Sequence, residues 1–138
     1  MPNHLFDATS TADDVLADVD LRGKRVLVTG VSSGLGVETA RALVARGAQV
    51  VGTVRDLATA VAGTAPVRSD ARMGGRLDLM TLDLSSLASV CHCAETLVSG
   101  GRAFDVLIAN AGVMGAPSAR TADGFVSQVG ANHLGHLL

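Results

Sequence analysis

Apolar residues along this chain follow two patterns that alternate: short unbroken runs of aliphatic and β-branched residues, and longer segments whose apolar positions recur every three to four residues. The runs at 24–29, 49–54, 77–82 and 104–109 have the length and make-up of strands, the first of the kind buried on both faces of a parallel sheet. Between the first two, residues 34–46 put Val37, Ala40, Leu43 and Val44 on one side and Glu38, Arg41 and Arg46 on the other, which predicts a helix stopped by Gly47. Residues 57–62 read as a short helix and 63–75, with Pro66, Ser69 and two adjacent glycines, as a loop. Ser85 can cap a helix reaching residue 98 and closed by Gly100 and Gly101. A loop over 113–122 and a last helix over 123–138 complete the pattern. Residues 1–23 read as a lead-in, with a mobile start and a helix beginning at Thr11, Ala12, Asp13 and Asp14 that carries Val15, Leu16 and Val19 on one side; Arg22 and Gly23 end it in a turn.

Strands that alternate with helices imply right-handed crossovers and an α/β fold with a doubly wound parallel sheet, here in strand order 3-2-1-4. Ligands of such sheets bind outside the carboxyl ends of the strands, where the order reverses between strands one and four. Gly30, Arg55, Asp83 and Asn110 all fall at carboxyl ends, so one crevice is expected to collect them.

The first strand runs into Thr29-Gly30-Val31-Ser32-Ser33-Gly34-Leu35-Gly36, a G-x-x-x-G-x-G turn that opens directly into the first long helix. Gly30 lets the chain leave the strand in a conformation most residues avoid; Gly34 and Gly36 remove side chains where backbone must approach a pyrophosphate or pack on the strand. Anions are favoured there because the first helix amides lack intrahelical partners and the helix dipole is positive at that end. Ser32 and Ser33 add hydroxyl donors. The lysine-containing phosphate loop of nucleoside triphosphatases is excluded, since Val37 follows Gly36 and the one lysine is Lys24. About 20 residues beyond the turn, a site for NAD places an acid against the ribose hydroxyl, whereas one for NADP uses a basic group. Val54 offers no carboxylate and Arg55 follows it, so NADP is expected rather than NAD; Arg55 as a surface partner of Asp56 is the alternative.

At 138 residues, 48% hydrophobic and 17% charged, the chain has room for one soluble globular domain or part of one. A net charge of -2 with scattered arginines argues against nucleic acid and anionic membranes as partners. No apolar run reaches the roughly 20 residues of a membrane span, and residues 1–20 carry acids where a signal peptide is basic and apolar, so a cytoplasmic location is expected. Cys91 shares a helical stripe with Leu87, Val90, Ala94, Leu97 and Val98 and reads as core; Cys93 points elsewhere, and with His92 between them no metal site is supported.

These residues closely resemble the short-chain dehydrogenase/reductase family from about Leu21 to the last residue. Thr29, Gly30, Gly34 and Gly36 match its T-G-x-x-x-G-x-G, Asp83 and Leu84 its D-L pair, and Asn110, Ala111 and Gly112 its N-A-G, with Ala109 where Asn is commoner. Asn132-His133-Leu134-Gly135-His136 is similar to the active-site helix of the branch like retinol dehydrogenases and protochlorophyllide reductases. The resemblance implies a Rossmann-type fold in which the turn from Gly30 to Gly36, with Ser32, Ser33 and Leu35, holds the pyrophosphate and adenosine ribose and Arg55 meets a 2'-phosphate. It implies that Asp83 bonds the adenine amino group, Leu84 supplies an amide, and Asn110, Ala111 and Gly112 line the ribose region. Asn132 matches an asparagine that helps hold a water of the proton relay, while His133 and His136 read as structural or surface residues.

The family's proton donor is a tyrosine with a lysine four residues on, and this chain has no tyrosine. Its last helix runs into Leu137 and Leu138 without a stop signal. The expectation is therefore an NADP-binding half-domain over 24–138, part of an oxidoreductase acting on a small-molecule alcohol or carbonyl and able to form a homo-oligomer. A non-catalytic NADP(H)-binding module and a truncated, non-functional product are the alternatives. Strand four should be left as an open edge, which predicts a marginal or aggregating isolated chain.

Overall fold

The computed structural model describes residues 6–115 and 119–138; residues 1–5 of the expected mobile start and 116–118 of the expected loop lie outside the described residues. Four strands form one sheet in the order β3-β2-β1-β4: β1 Arg25–Thr29, β2 Gln49–Val54, β3 Arg76–Thr81 and β4 Val106–Ile108. All pairings are parallel, with Val28 opposite Gly52 of β2 and Ile108 of β4, and Val51 opposite Asp78 of β3. The order matches the one expected. β4 is shorter than its aliphatic run, because only three residues reach the register with β1.

Alternate residues of β1 feed opposite faces. Val26 and Val28 pack with Val50 of β2 and with Ala40 and Val44 of α2 (Gly34–Ala45). Leu27, between them, faces Ala94, Leu97 and Val98 of α5 (Leu87–Ser99). That alternation is how one strand stitches two helical layers to a sheet. Val98 at 78% exposure and Leu107 at 61% leave the β4 side of the sheet largely uncovered. No helix among the described residues is long and apolar enough to cross a membrane.

Several local elements depart from the sequence reading. The helix expected from Thr11 lasts only Ala12–Val15 (α1); Thr11 and Asp14 close a capping box, and of Val15, Leu16 and Val19 only Leu16 is partly covered. After α3 (Leu57–Gly63) the expected loop contains α4 (Ala65–Ser69), where Pro66 sits in the first turn and Val67 is fully buried. Ser86, not Ser85, caps α5 through its hydroxyl, because Ser85 is taken by Asp83. Cys93, not Cys91, is the core cysteine, with its sulfur 3.2 Å from that of Met80, while Cys91 is exposed. The last helical stretch starts at Ser127 rather than 123 and comprises α6 (Ser127–Val129), a π-helical segment (Gly130–Leu134) and α7 (Gly135–Leu137).

Arg41 is the largest correction on α2. Expected to face solvent, its side chain is only 16% exposed and meets Asp13 at 2.8 Å, Glu38 at 2.6 Å and Asp70 at 2.9 Å. One guanidinium thereby joins the lead-in, α2 and the end of α4. All three acids are themselves well exposed, so water and salt weaken each pair. Arg41→Met is expected to lower the unfolding free energy by about 1–2 kcal/mol in urea melts at low salt, with the difference shrinking in high salt. A variant melting like the wild type would remove the guanidinium from the account of the fold.

Candidate functional site

The turn after β1 is built around backbone contacts. Gly30 and Val31 both donate their amides to the Thr53 carbonyl, at 3.0 Å each, so the chain leaves β1 leaning on the end of β2. Gly30 has φ +74°, and a Cβ there would meet Ala111 Cα at 2.8 Å. A Cβ on Gly36 would lie 2.0 Å from the Gly30 carbonyl oxygen and 2.7 Å from Asn110 Nδ2. Gly34 differs from expectation: nothing lies within 4 Å of its missing Cβ, and its φ of +62° is what favours glycine. Ser33 stands at the cap position of α2, yet its hydroxyl makes no bond to the helix amides and the first turn has no acid. The positive end of a twelve-residue helix is thus left open toward the crevice.

A cleft of about 410 Å³ opens at the carboxyl ends of the strands. Gly30, Ser32, Ser33, Leu35 and Gly36 line it from the turn, Arg55 from the end of β2, Asp83 and Leu84 from beyond β3, and Asn110, Ala111 and Gly112 from beyond β4. Thr29, Gly34 and Asn132, the other residues singled out from sequence, are not among its walls. Thr53, Val54, Leu82, Ser85, Val113 and Ala131 complete the lining.

Thr29 works beneath the cleft. Only 4% exposed, its hydroxyl accepts the amides of Asn110 at 3.1 Å and Ala111 at 3.0 Å, and Asn110 Nδ2 donates back to the carbonyls of Thr29 and Gly30. Asn132 holds the next stretch of the same loop, its Oδ1 accepting from Val113 N at 2.7 Å and its Nδ2 donating to Val113 O at 2.8 Å. The Asn132 side chain is therefore a clamp on backbone. His136, read from the sequence as a structural or surface residue, lies with Nε2 2.8 Å from the Thr29 hydroxyl.

Asp83 Oδ1 accepts from the Ser85 hydroxyl at 2.6 Å and the Ser85 amide at 2.9 Å. The Ser85 hydroxyl outweighs partial burial and, with the Ser85 amide and the nearby Arg55 charge, holds the carboxyl below its usual 3.8. A carboxylate favoured in the folded state contributes stability in full above its unfolded pKa and loses it as pH falls through the folded one. The acid limb of the stability curve, between about pH 5 and pH 2, is expected to be shallower in Asp83→Asn than in the wild type. Parallel limbs would show that Asp83 carries no such coupling. Among the described residues, no group of three or more His, Cys, Asp and Glu could hold a metal ion.

A known family, short chain dehydrogenase, matches residues 24–134, from the start of the glycine-turn strand to the last helical stretch. The chain belongs to this family. Short chain dehydrogenases similar to it include the short-chain dehydrogenase/reductase prx1 of Penicillium roqueforti, 43% identical over 96% of this chain and 39% of the relative. Human retinol dehydrogenase 12 is 40% identical over 88% of this chain and 38% of its own. The chain thus spans about two-fifths of the length of these relatives. A crystal structure of an uncharacterised protein from Mycobacterium paratuberculosis superposes with TM-score 0.74 at 44% identity, over 92% of this chain and 42% of that one. A metagenomic short-chain oxidoreductase in complex with NADP gives TM-score 0.58 at 36% identity, over 67% of this chain and 41% of that one. Membership places the sheet in the Rossmann-type class, as the strand order already implied.

Proposed function

We propose that this chain is the cofactor-binding part of an NADP(H)-dependent oxidoreductase acting on a small-molecule alcohol or carbonyl. The carrying observation is one cleft at the carboxyl ends of the strands that brings the glycine turn, Arg55 and Asp83 together. Its shape suits the cofactor: backbone fills the space a Cβ of Gly36 would need, and the α2 end beside it is uncapped by side chain or acid. Pyrophosphate oxygens would meet the turn and the start of α2, with the Ser32 and Ser33 hydroxyls as further donors. Arg55, exposed at the cleft wall, would pair with a 2'-phosphate, as a guanidinium does with two parallel hydrogen bonds. Asp83, with Oδ1 committed to Ser85, keeps Oδ2 for the adenine amino group, and Leu84 offers its amide. Asn110, Ala111 and Gly112 would line the ribose side, and Asn132 would fix that loop through Val113. NADPH, when bound, supplies a hydride.

Hydride arrival at a carbonyl also needs a proton for the developing alkoxide. These 138 residues include no tyrosine, and Lys24 pairs with Asp105 at 3.4 Å beside the start of β1, at the opposite end of the strand from the cleft. A second reading is a module that binds NADP(H) without turning it over. Fluorescence titration with NADPH, followed by NADPH consumption with a panel of aldehydes and ketones, separates the two. Saturable binding with consumption supports the oxidoreductase, binding without it supports the module, and no binding overturns both.

A further inference from the structure

The hydrogen-bond inventory at Thr29 assigns a role to His136 that neither the glycine turn nor the cleft lining discloses. A threonine hydroxyl has two acceptor lone pairs and one proton. Both acceptor positions of Thr29 are filled by the amides of Asn110 and Ala111. Its proton must therefore be donated, and the group 2.8 Å away is His136 Nε2. The other ring nitrogen gives the same answer independently: Nδ1 lies 3.2 Å from the Asn132 carbonyl, which can only accept, so Nδ1 carries the imidazole proton. The two constraints close on one state, a neutral ring that donates from Nδ1 and accepts at Nε2.

We infer that His136 is a positioning residue for the cofactor cleft, acting through Thr29 and fixed as the Nδ1–H tautomer. By accepting the Thr29 proton it keeps both oxygen lone pairs turned to the amides of Asn110 and Ala111. Those amides set how closely Ala111 approaches Gly30, where the fit leaves no room for a Cβ. By donating to Asn132 O, the same ring ties the π-helical segment that carries the Val113 clamp to the end of β1. Loss of the acceptor leaves a hydroxyl proton without a partner in a site 4% exposed, or turns it against an amide it now receives. The inference rests on the cofactor reading of the cleft only for what the positioning serves; the tautomer stands on the hydrogen bonds alone.

The test combines a spectroscopic signature with binding, on the full native chain. Nitrogen-15 correlation spectra of the His136 ring are expected to show Nδ1 protonated and Nε2 bare. An imidazole free in water favours the opposite tautomer, so an Nε2–H or doubly protonated ring overturns the inference. In NADPH titrations His136→Phe is expected to raise the dissociation constant about tenfold, the scale of one lost buried hydrogen bond. His136→Gln, whose amide can accept and donate at one end of a side chain, is expected to recover most of that loss. Equal affinity of His136→Phe and wild type overturns the inference and leaves the cofactor reading intact. Wild-type chain that binds no NADPH, with the Nδ1–H signature present, overturns the cofactor reading and the positioning role together. Should His136→Phe fail to fold, His136→Ala takes its place beside His136→Gln and the wild-type spectrum, since a His136→Gln chain that binds NADPH no better than His136→Ala is incompatible with an acceptor role.

Discussion

Gly36→Ala is expected to weaken NADPH binding by at least about a hundredfold, equivalent to roughly 2.7 kcal/mol. The new methyl would stand 2.0 Å from the Gly30 carbonyl oxygen and 2.9 Å from its carbon, and neither is the end of a flexible side chain. Relief requires α2 to slide away from the end of β1. That movement would carry the open helix terminus off the pyrophosphate position and push on Asn110 Nδ2, which bonds the carbonyls of Thr29 and Gly30. Gly34→Ala makes the matched control: it meets no atom within 4 Å and is strained only by its φ of +62°, so its cost is the smaller one of a left-handed residue, about 1–2 kcal/mol. Circular dichroism of both variants separates lost binding from lost folding. A Gly36→Ala chain that binds like the wild type would show that the tight helix–strand approach does not shape the cleft.

The second large effect concerns cofactor choice. Arg55→Asp should shift the ratio of NADPH to NADH affinity toward NADH by roughly one hundredfold or more, because a charge-assisted pair worth about 1.5–3 kcal/mol becomes a repulsion. The position suits such a switch. Arg55 is exposed on the cleft wall and makes no ion pair with its neighbour Asp56, whose carboxylate instead accepts the Ala58 amide at 2.8 Å and caps α3. The alternative of an Arg55–Asp56 surface pair therefore has no geometric support in the fold. Competition titrations with the two cofactors measure the ratio directly, and an unchanged ratio would take Arg55 out of the recognition of the 2'-phosphate.

How much of this was legible in the sequence follows from the range of each interaction. β2 was readable to the residue and the strand order came out whole, because unbroken aliphatic runs and a glycine turn are local signals and right-handed crossovers leave little choice of topology. Eleven of the residues singled out for the site meet at one cleft for the same reason. What escaped depends on distant partners. Arg41 looked like a solvent-facing helix residue until Asp13 and Asp70 came to it from outside α2. Adjacent serines compete for one cap, and Asp83 decides the contest by engaging Ser85. Cys93 rather than Cys91 faces inward because Met80 of β3 lies there. His136 meets a threonine 107 residues earlier in the chain, a pairing with no local signature. Pro66 reads as a loop residue from sequence, although the first turn of a helix tolerates proline equally well.

The open side of the sheet bears on handling. Among the described residues β4 is an edge strand, with Val106 47% and Leu107 61% exposed, and such an edge can pair with another chain. A ligand that binds only the folded state opposes this by mass action, so on the cofactor reading proposed above NADPH would favour the folded chain during refolding.

The most direct test of the central claim is a fluorescence titration of the native chain with NADPH and, separately, NADH. One saturable site with NADPH bound more tightly than NADH is the predicted result. Absence of saturable binding, or tighter binding of NADH, would contradict the assignment of this cleft to NADP(H).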